Sequence, residues 1–365
     1  MASLAIRVEQ ALLGSVLLEP AGQQHVLDLI EPGDMCRPWH GQVLSAMQRA
    51  RAKGVSPGPA EVYEELRKDP DLPETVSQDA VPLIDLMEAA PSAQHCAAYA
   101  AIVGENGIRQ RIELTGSRLA QAADTGDLEA ALRQCAPARR ELSAGHARWL
   151  AIPEPFRPAE ARERTAGRDL AESAARTPRR RSRPDDWVAG WDRPRGAEAE
   201  AAGQQALRDL AAGPGHIAHV RRWLRPEYFA RGEDGDLFAV MRDLDAAGRP
   251  VDPVTIAWEA ARRGIQADPD QFAGGNAPLA VASGRTVCRY GLLARIAATG
   301  RDLQAGAVDP GRDLTGLFQS ADDRLRDLTP ARQPEQPGRD ARVITIPRQA
   351  KPGEQPRHPD REAVP

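Results

Sequence analysis

Val8-Glu9-Gln10-Ala11-Leu12-Leu13-Gly14-Ser15-Val16-Leu17-Leu18 sets Val8, Leu12, Leu13, Val16 and Leu17 on one stripe at helical spacing. The same period returns further along in Val26, Leu29 and Ile30, in Val43, Leu44 and Met47, in Val62 and Leu66, and in Leu83, Ile84 and Met87. Each group reads as a short amphipathic helix. Glu19-Pro20, Glu31-Pro32-Gly33, Gly54 to Pro59 and Asp69-Pro70 to Pro73 break the chain between them. A longer helix starts at Pro91-Ser92, with Ser92 as its N-cap, and carries Tyr99, Ile102, Val103, Ile112 and Leu119 as far as Ala123. After the turn Asp124-Thr125-Gly126, a second helix holds Leu128, Ala131, Leu132, Cys135 and Leu142, so residues 92–142 read as a helical hairpin behind a small bundle.

The pattern then repeats. Gln10-Ala11-Leu12 corresponds to Gln205-Ala206-Leu207, 195 residues on. Val43-Leu44-Ser45-Ala46-Met47 corresponds to Leu237-Phe238-Ala239-Val240-Met241, and Glu31-Pro32 to Arg225-Pro226, both at 194. Gly54 pairs with Gly248 at 194, and Thr115-Gly116 with Thr299-Gly300 at 184, which puts a loss of about ten residues around the equivalent of 67–91. The period is too long for a solenoid and points to a tandem domain pair. The last helix has Leu314, Leu317, Phe318, Ala321, Leu325 and Leu328 on one face and is entered through Asp309-Pro310. The expected fold is all-α: a first domain over 1–142, a linker over 143–202, a divergent second domain over 203–328 and a tail over 329–365.

The linker is rich in Pro, Arg, Glu and Ala, contains Pro178-Arg179-Arg180-Arg181-Ser182-Arg183-Pro184, and has too few aliphatic residues to offset its ordering entropy. The tail has the same character, with Val343-Ile344-Thr345-Ile346 as its one apolar stretch. Over the whole 365 residues, aromatic side chains make up only 4%, so the cores must be built from Ala, Leu, Val and Ile, which favours helices. Residues 1–142 hold 13 basic against 20 acidic side chains, a poor balance for wrapping nucleic acid. That makes the lobes protein-contact modules. Arg179, Arg180, Arg181 and Arg183, followed by Trp187 and Trp191, are the candidate nucleic-acid contact, although Asp185, Asp186 and Asp192 blunt the charge and a solvated linker is the alternative. With no basic leader and no long apolar run, the chain reads as cytoplasmic, with nucleoid association as a variant, and not as a membrane protein.

Catalytic signatures are missing. None of the three lysines follows a glycine, so G-x-x-x-x-G-K-[ST] cannot be assembled, and G-x-G-x-x-G, H-E-x-x-H and G-x-S-x-G do not occur. No catalytic, cofactor or metal residue is assigned, and the chain is not expected to be an enzyme. Cys36, His40 and His95-Cys96 have zinc-ligand types, against which stands the commoner reading of Cys36, Cys96 and Cys135 as small core residues. Trp39, Trp223 and Trp258 are expected as core or interface anchors.

Val8 to Leu18, followed by Ile30-Glu31-Pro32-Gly33-Asp34-Met35-Cys36-Arg37-Pro38-Trp39-His40 and by Pro91-Ser92-Ala93 leading into Tyr99-Ala100-Ala101-Ile102-Val103, resembles the N-terminal domain of DnaB-family replicative helicases. The second segment keeps Leu224-Arg225-Pro226-Glu227-Tyr228-Phe229 and Pro250-Val251-Asp252-Pro253-Val254-Thr255. Two positions depart from the pattern. Met35 stands where the family usually has an aromatic, and Arg231-Gly232-Glu233-Asp234 replaces Arg-Pro-x-His.

The resemblance implies a helical globule with a hairpin that pairs into ring collars and docks primase or loader proteins. It does not imply unwinding, which belongs to an ATP-driven domain. The expected function is therefore a replication-associated adaptor or assembly protein that binds replicative helicase, primase or a helicase loader, with a homo-oligomer as one possible state. Two alternatives stand beside it, a helicase component that needs a partner motor and a scaffold outside replication. Tyr99, Ile102, Ile112, Leu119, Leu128 and Leu132 are the expected partner-binding residues, since a hairpin has two apolar faces to cover. Pairing of the two hairpins within one chain is the internal rival.

Overall fold

The computed structural model describes residues 2–69, 81–153 and 193–328, and every regular element among them is a helix. In the first lobe α1 (Ala2–Leu18) is followed by the single turn α2 (Pro20–Gln23), then α3 (Pro38–Ala52), α4 (Pro59–Leu66) and α5 (Val81–Ala89). Pro opens α2, α3 and α4 at the first helical position, where its missing N–H is not needed. Leu12, Leu13, Val16, Leu17, Val43, Leu44, Met47, Val62, Leu83 and Leu86 close this lobe's core. The hairpin follows as α6 (Cys96–Asp124) and α7 (Leu128–Ala151), the latter capped by Asp127, which accepts from the Ala130 N–H at 3.1 Å.

The second lobe is built alike. It runs α8 (Arg193–Ala212), α9 (Ile217–Val220), α10 (Gly232–Ala246), α11 (Pro253–Arg262), and the hairpin α12 (Ala280–Val308) with α13 (Leu314–Asp327). Asp252 caps α11 and Asp313 caps α13, each accepting two backbone N–H groups. The two lobes are alike in packing as well as in the order of elements. A Cβ on Gly41 would lie 2.7 Å from the Pro32 carbonyl oxygen, and one on Gly235 would lie 2.4 Å from that of Pro226, so both lobes require a glycine at the same helix crossing.

Residues 1–329 form one compact unit, because the hairpins pack on each other. Ile108, Ile112, Leu119, Leu142, Trp149 and Ile152 of the first hairpin share a continuous core with Leu207, Phe229, Phe238, Leu292, Ile296, Leu303 and Phe318 of the second half. Residues 330–365, with the tetrad Val343 to Ile346, make up the other unit and lie outside the described residues.

Several expectations need correcting. The second hairpin helix runs on to Ala151, nine residues into the segment read as linker, because Trp149 and the adjoining Ile152 are buried despite their polar neighbours. Likewise α8 begins at Arg193, within the same segment. Ser92 stands at the N-cap of the 3-10 turn Ala93–His95 that leads into the long helix at Cys96, but its hydroxyl makes no cap bond; its carbonyl accepts from the His95 N–H at 3.3 Å. Asp313, not Asp309-Pro310, opens α13. Cys36 is exposed, whereas Cys96 and Cys135 are buried. Trp39 and Trp223 are half-buried against the cores, but Trp258 faces solvent. The register between α1 and α8 is 194, not 195: buried Leu12, Leu13, Val16 and Leu17 answer to buried Ala206, Leu207, Leu210 and Ala211.

The tightest point of the molecule is where α6 crosses α12. A Cβ on Gly116 would stand 2.5 Å from the Gly300 carbonyl oxygen, and a Cβ on Gly300 would stand 2.5 Å from that of Gly116. Gly116→Ala is therefore expected to lower the unfolding free energy by about 2–3 kcal/mol, since the opposing atom is backbone and cannot swing aside. Urea denaturation checks this, and a loss below about 0.5 kcal/mol would contradict the close crossing.

Candidate interaction site

The site with the strongest claim to function is the four-helix bundle formed by the two hairpins. α6 and α12 run antiparallel across the Gly116 and Gly300 contact, and arginines close both ends. Arg109, held by Glu105 at 2.8 Å, donates to the carbonyls of Gly306 (3.4 Å) in the last turn of α12 and of Asp309 (2.9 Å) and Arg312 (3.1 Å) beyond its end. In the opposite sense, Arg289 of α12 donates to the Gly126 carbonyl in the turn of the first hairpin at 2.7 Å, and Arg195 to that of Asp124 at 2.8 Å. Carbonyls at helix C-termini lack intrahelical partners, so these guanidiniums satisfy groups that the turns leave open.

The second layer pairs α7 with α13. Arg139 meets Asp322 at 2.9 Å, the ring of His146 stacks on Phe318 with centroids 5.1 Å apart, and Trp149 Nε1 donates to Thr315 Oγ1 at 3.2 Å. At its far end α7 turns back to the first lobe, where Arg148 pairs with buried Asp34 and, at 3.3 Å, with Glu31. Arg111 of α6 joins the same two carboxylates. One helix thus fastens the first lobe to the second lobe's hairpin. A groove between α7 and α13 is rimmed by Arg139, Arg326, Asp322 and Asp323, charges that already neutralise one another.

The residues expected to bind a partner fall into three environments. Ile112 and Leu119 are buried in the core shared with the second lobe, and Leu128 and Leu132 pack partly buried against it. Tyr99 leans on the first lobe's own core, and Ile102 is exposed. Arg179, Arg180, Arg181 and Arg183, like Trp187 and Trp191, lie outside the described residues. What the sequence reading missed is the role of Gly116 and Gly300. Thr115-Gly116 and Thr299-Gly300 were visible as a repeated pair, but a repeat alone does not show that its two copies touch.

Buried polar groups separate the lobes chemically. Glu9 accepts from the Cys36 N–H and from His40 Nδ1, both at 2.6 Å. Burial would raise the Glu9 carboxyl, but these hydrogen bonds prevail and hold it below its ordinary value. Among the described residues no three His, Cys, Asp or Glu side chains gather as metal ligands; His40 and the Cys36 backbone are engaged with Glu9. At the equivalent positions the second lobe has Gly203 and Asp234, and buried Asp234 Oδ2 has no hydrogen-bond partner. Burial pushes Asp234 up to about 6, with Arg231 opposing and Glu233 and Glu200 adding to the rise. Burial likewise raises Cys96 to about 12 and Cys135 and Cys288 to about 11, so these thiols stay protonated and unreactive at neutral pH.

Asp234 sets a pH dependence with a definite sign. A folded-state value near 6, above 3.8, means that the folded chain holds the proton more tightly; the group's stability contribution is full below about pH 4 and is lost as pH rises through about 6. Asp234→Asn is expected to gain up to about 3 kcal/mol relative to wild type between pH 4 and pH 7, from about two units at 1.36 kcal/mol each. Denaturant titrations across that range measure the difference, and a constant difference would show that Asp234 is not the titrating group.

Comparison with known proteins points in one direction. A family model described as the DnaB-like helicase N terminal domain matches residues 2–105 and 197–276, that is, both globular lobes. Replicative DNA helicase DnaB of Geobacillus stearothermophilus is 31% identical over 125 residues, covering 34% of this chain and 27% of that protein. Replicative DNA helicase DnaC of Bacillus subtilis (strain 168) is 31% identical over 124 residues, with the same coverage. The crystal structure of the N-terminal domain of DnaB helicase from Mycobacterium tuberculosis is 28% identical, covers 35% of this chain and 95% of that one, and superposes with a TM-score of 0.29. The chain spans about a quarter of the length of the curated relatives it matches.

Proposed function

The chain belongs to the DnaB-like helicase N-terminal domain family, and from that premise we propose that it is a non-catalytic adaptor or assembly protein of DNA replication, acting in the primosome and in the cytoplasm. Its two lobes dock a replicative helicase, a primase or a helicase loader. The observation that carries this reading is the pairing of the two hairpins inside one chain, centred on Gly116 and Gly300. A domain pair that closes on itself has no need of a second chain to bury its hairpins, so its outer faces are free for other proteins.

Weak contact of Arg179, Arg180, Arg181 and Arg183 with DNA is a secondary part of the proposal. The second reading, a helicase component working with a partner motor, is favoured by the names of the two relatives.

At micromolar concentration the protein is expected to sediment as a 39.5 kDa monomer, to show no ATP turnover, and to co-purify from its host with helicase, primase or loader. Turnover by the purified chain would contradict the non-catalytic reading. Replication proteins missing from the co-purified set would remove the adaptor reading.

A further inference from the structure

Helix α11 carries an apolar stripe that the described residues leave exposed. Its inner face, Ile256, Ala257 and Ala260, is buried. Its outer face carries Val254 and Trp258, each 66% exposed and the most exposed large apolar side chains among the described residues. They stand one turn apart, about 6 Å along the helix, and Ala261 continues the stripe. The equivalent helix α4 of the first lobe has Ala60 and Glu64 at these positions, so the same fold forms without the stripe.

The charges around the stripe are sorted by depth. Glu259 is only 13% exposed and is held by Arg249 at 3.1 Å, Arg263 at 3.4 Å and Arg262 at 3.7 Å. The guanidiniums face outward, Arg262 most of all at 64%, while Asp243 takes one side of Arg263. What an approaching protein meets beside Trp258 is therefore apolar surface edged by positive charge, with the compensating carboxylate beneath. The first lobe holds its own Glu65 with Lys53 and Lys68 in the same way, but there the exposed side chain at the centre is Glu64.

We infer that this face of α11 docks an acidic amphipathic helix of a partner protein, whose apolar side chains one turn apart lie on Val254 and Trp258 and whose flanking carboxylates meet Arg262 and Arg249. Tryptophan and arginine are the side chains that most often anchor such contacts, and apolar anchors at helical spacing are the usual way a helix is read. The inference stands apart from the replication reading, because it rests on the stripe and its charges and not on family membership.

The test uses the full chain and a labelled synthetic peptide of about 18 residues, with Leu one turn apart on one face and Glu elsewhere, beside a version carrying Lys for Glu. Fluorescence anisotropy is expected to give a Kd of about 10–100 µM for the acidic peptide and binding at least about 10-fold weaker for the basic one. Raising salt from about 50 to about 300 mM should weaken the acidic complex several-fold. Replacing the stripe by the first lobe's residues, Val254→Ala with Trp258→Glu, should cost at least about 10-fold with an unchanged melting temperature. Arg262→Glu, which leaves the stripe in place, should narrow the gap between the two peptides. Equal affinity for both peptides, undiminished binding by the stripe variant, or no binding at about 1 mM peptide would overturn the inference. So would concentration-dependent sedimentation of the wild type that Trp258→Glu abolishes, since a second copy of the chain would then cover the stripe.

Discussion

Two glycines facing each other across a helix crossing hold this structure together. With no Cβ at Gly116 or Gly300, the backbones of α6 and α12 come close enough for each glycine's carbonyl oxygen to occupy the space a side chain would need on the other. Close approach lets Ile112, Leu119, Ile296 and Leu303 interlock on either side, and it brings Arg109 and Arg289 to the open carbonyls at opposite ends. α7 and α13 then meet as the outer layer of the same bundle. A bulkier residue at the crossing would separate all of these contacts at once.

Around this shared axis the two lobes have kept their shape and exchanged their interior chemistry. Several equivalent positions that bury a polar group are solved differently. Ser15 donates back to the Ala11 carbonyl at 2.6 Å in the first lobe, while Asp209, 194 residues on, accepts from the Asn276 N–H at 2.7 Å and from Ser283. Glu9 and His40 form a satisfied pair where Gly203 and Asp234 leave one oxygen unpartnered. Asp34, pinned by Arg148, answers to Tyr228, which packs against Gly291. Among the described residues only the first lobe is tied by ion pairs to the end of a hairpin helix, α7, which runs back to its own globule. A buried charge pair is weak evidence of extra stability, but removing one partner is costly, so such links fix which surfaces sit together.

The same divergence continues on the surface. In both lobes a glutamate on the fourth helix, Glu65 buried and Glu259 half-buried, is gripped by basic side chains, which keeps that helix against its neighbour. Lys53 and Lys68 hold Glu65 down at about 2, and Arg249 leads the groups that lower Glu259. On this common base the first lobe shows Glu64 to solvent and the second shows Trp258.

The sequence by itself determined the helical class and the breaks between the short helices of the first lobe, because each follows from spacing along the chain. Apolar stripes at 3.6-residue period, prolines at helix starts and a repeated Met47 and Met241 context are local facts. Membership in a helicase-domain family was legible for the same reason, through Glu31-Pro32-Gly33-Asp34 and its neighbours. The tertiary structure alone decided that Gly116 lies on Gly300, that α7 continues to Ala151, that the α1 and α8 register is 194, and that Trp258 faces water. Each of these depends on residues far apart in the chain. Trp149 is buried only because Thr315 and the second hairpin lie over it, and Trp258 is exposed only because Ile256 and Ala260 already fill the inner side of its helix. Periodicity shows that a helix has an apolar side, but which surface covers that side is fixed by packing across the whole molecule.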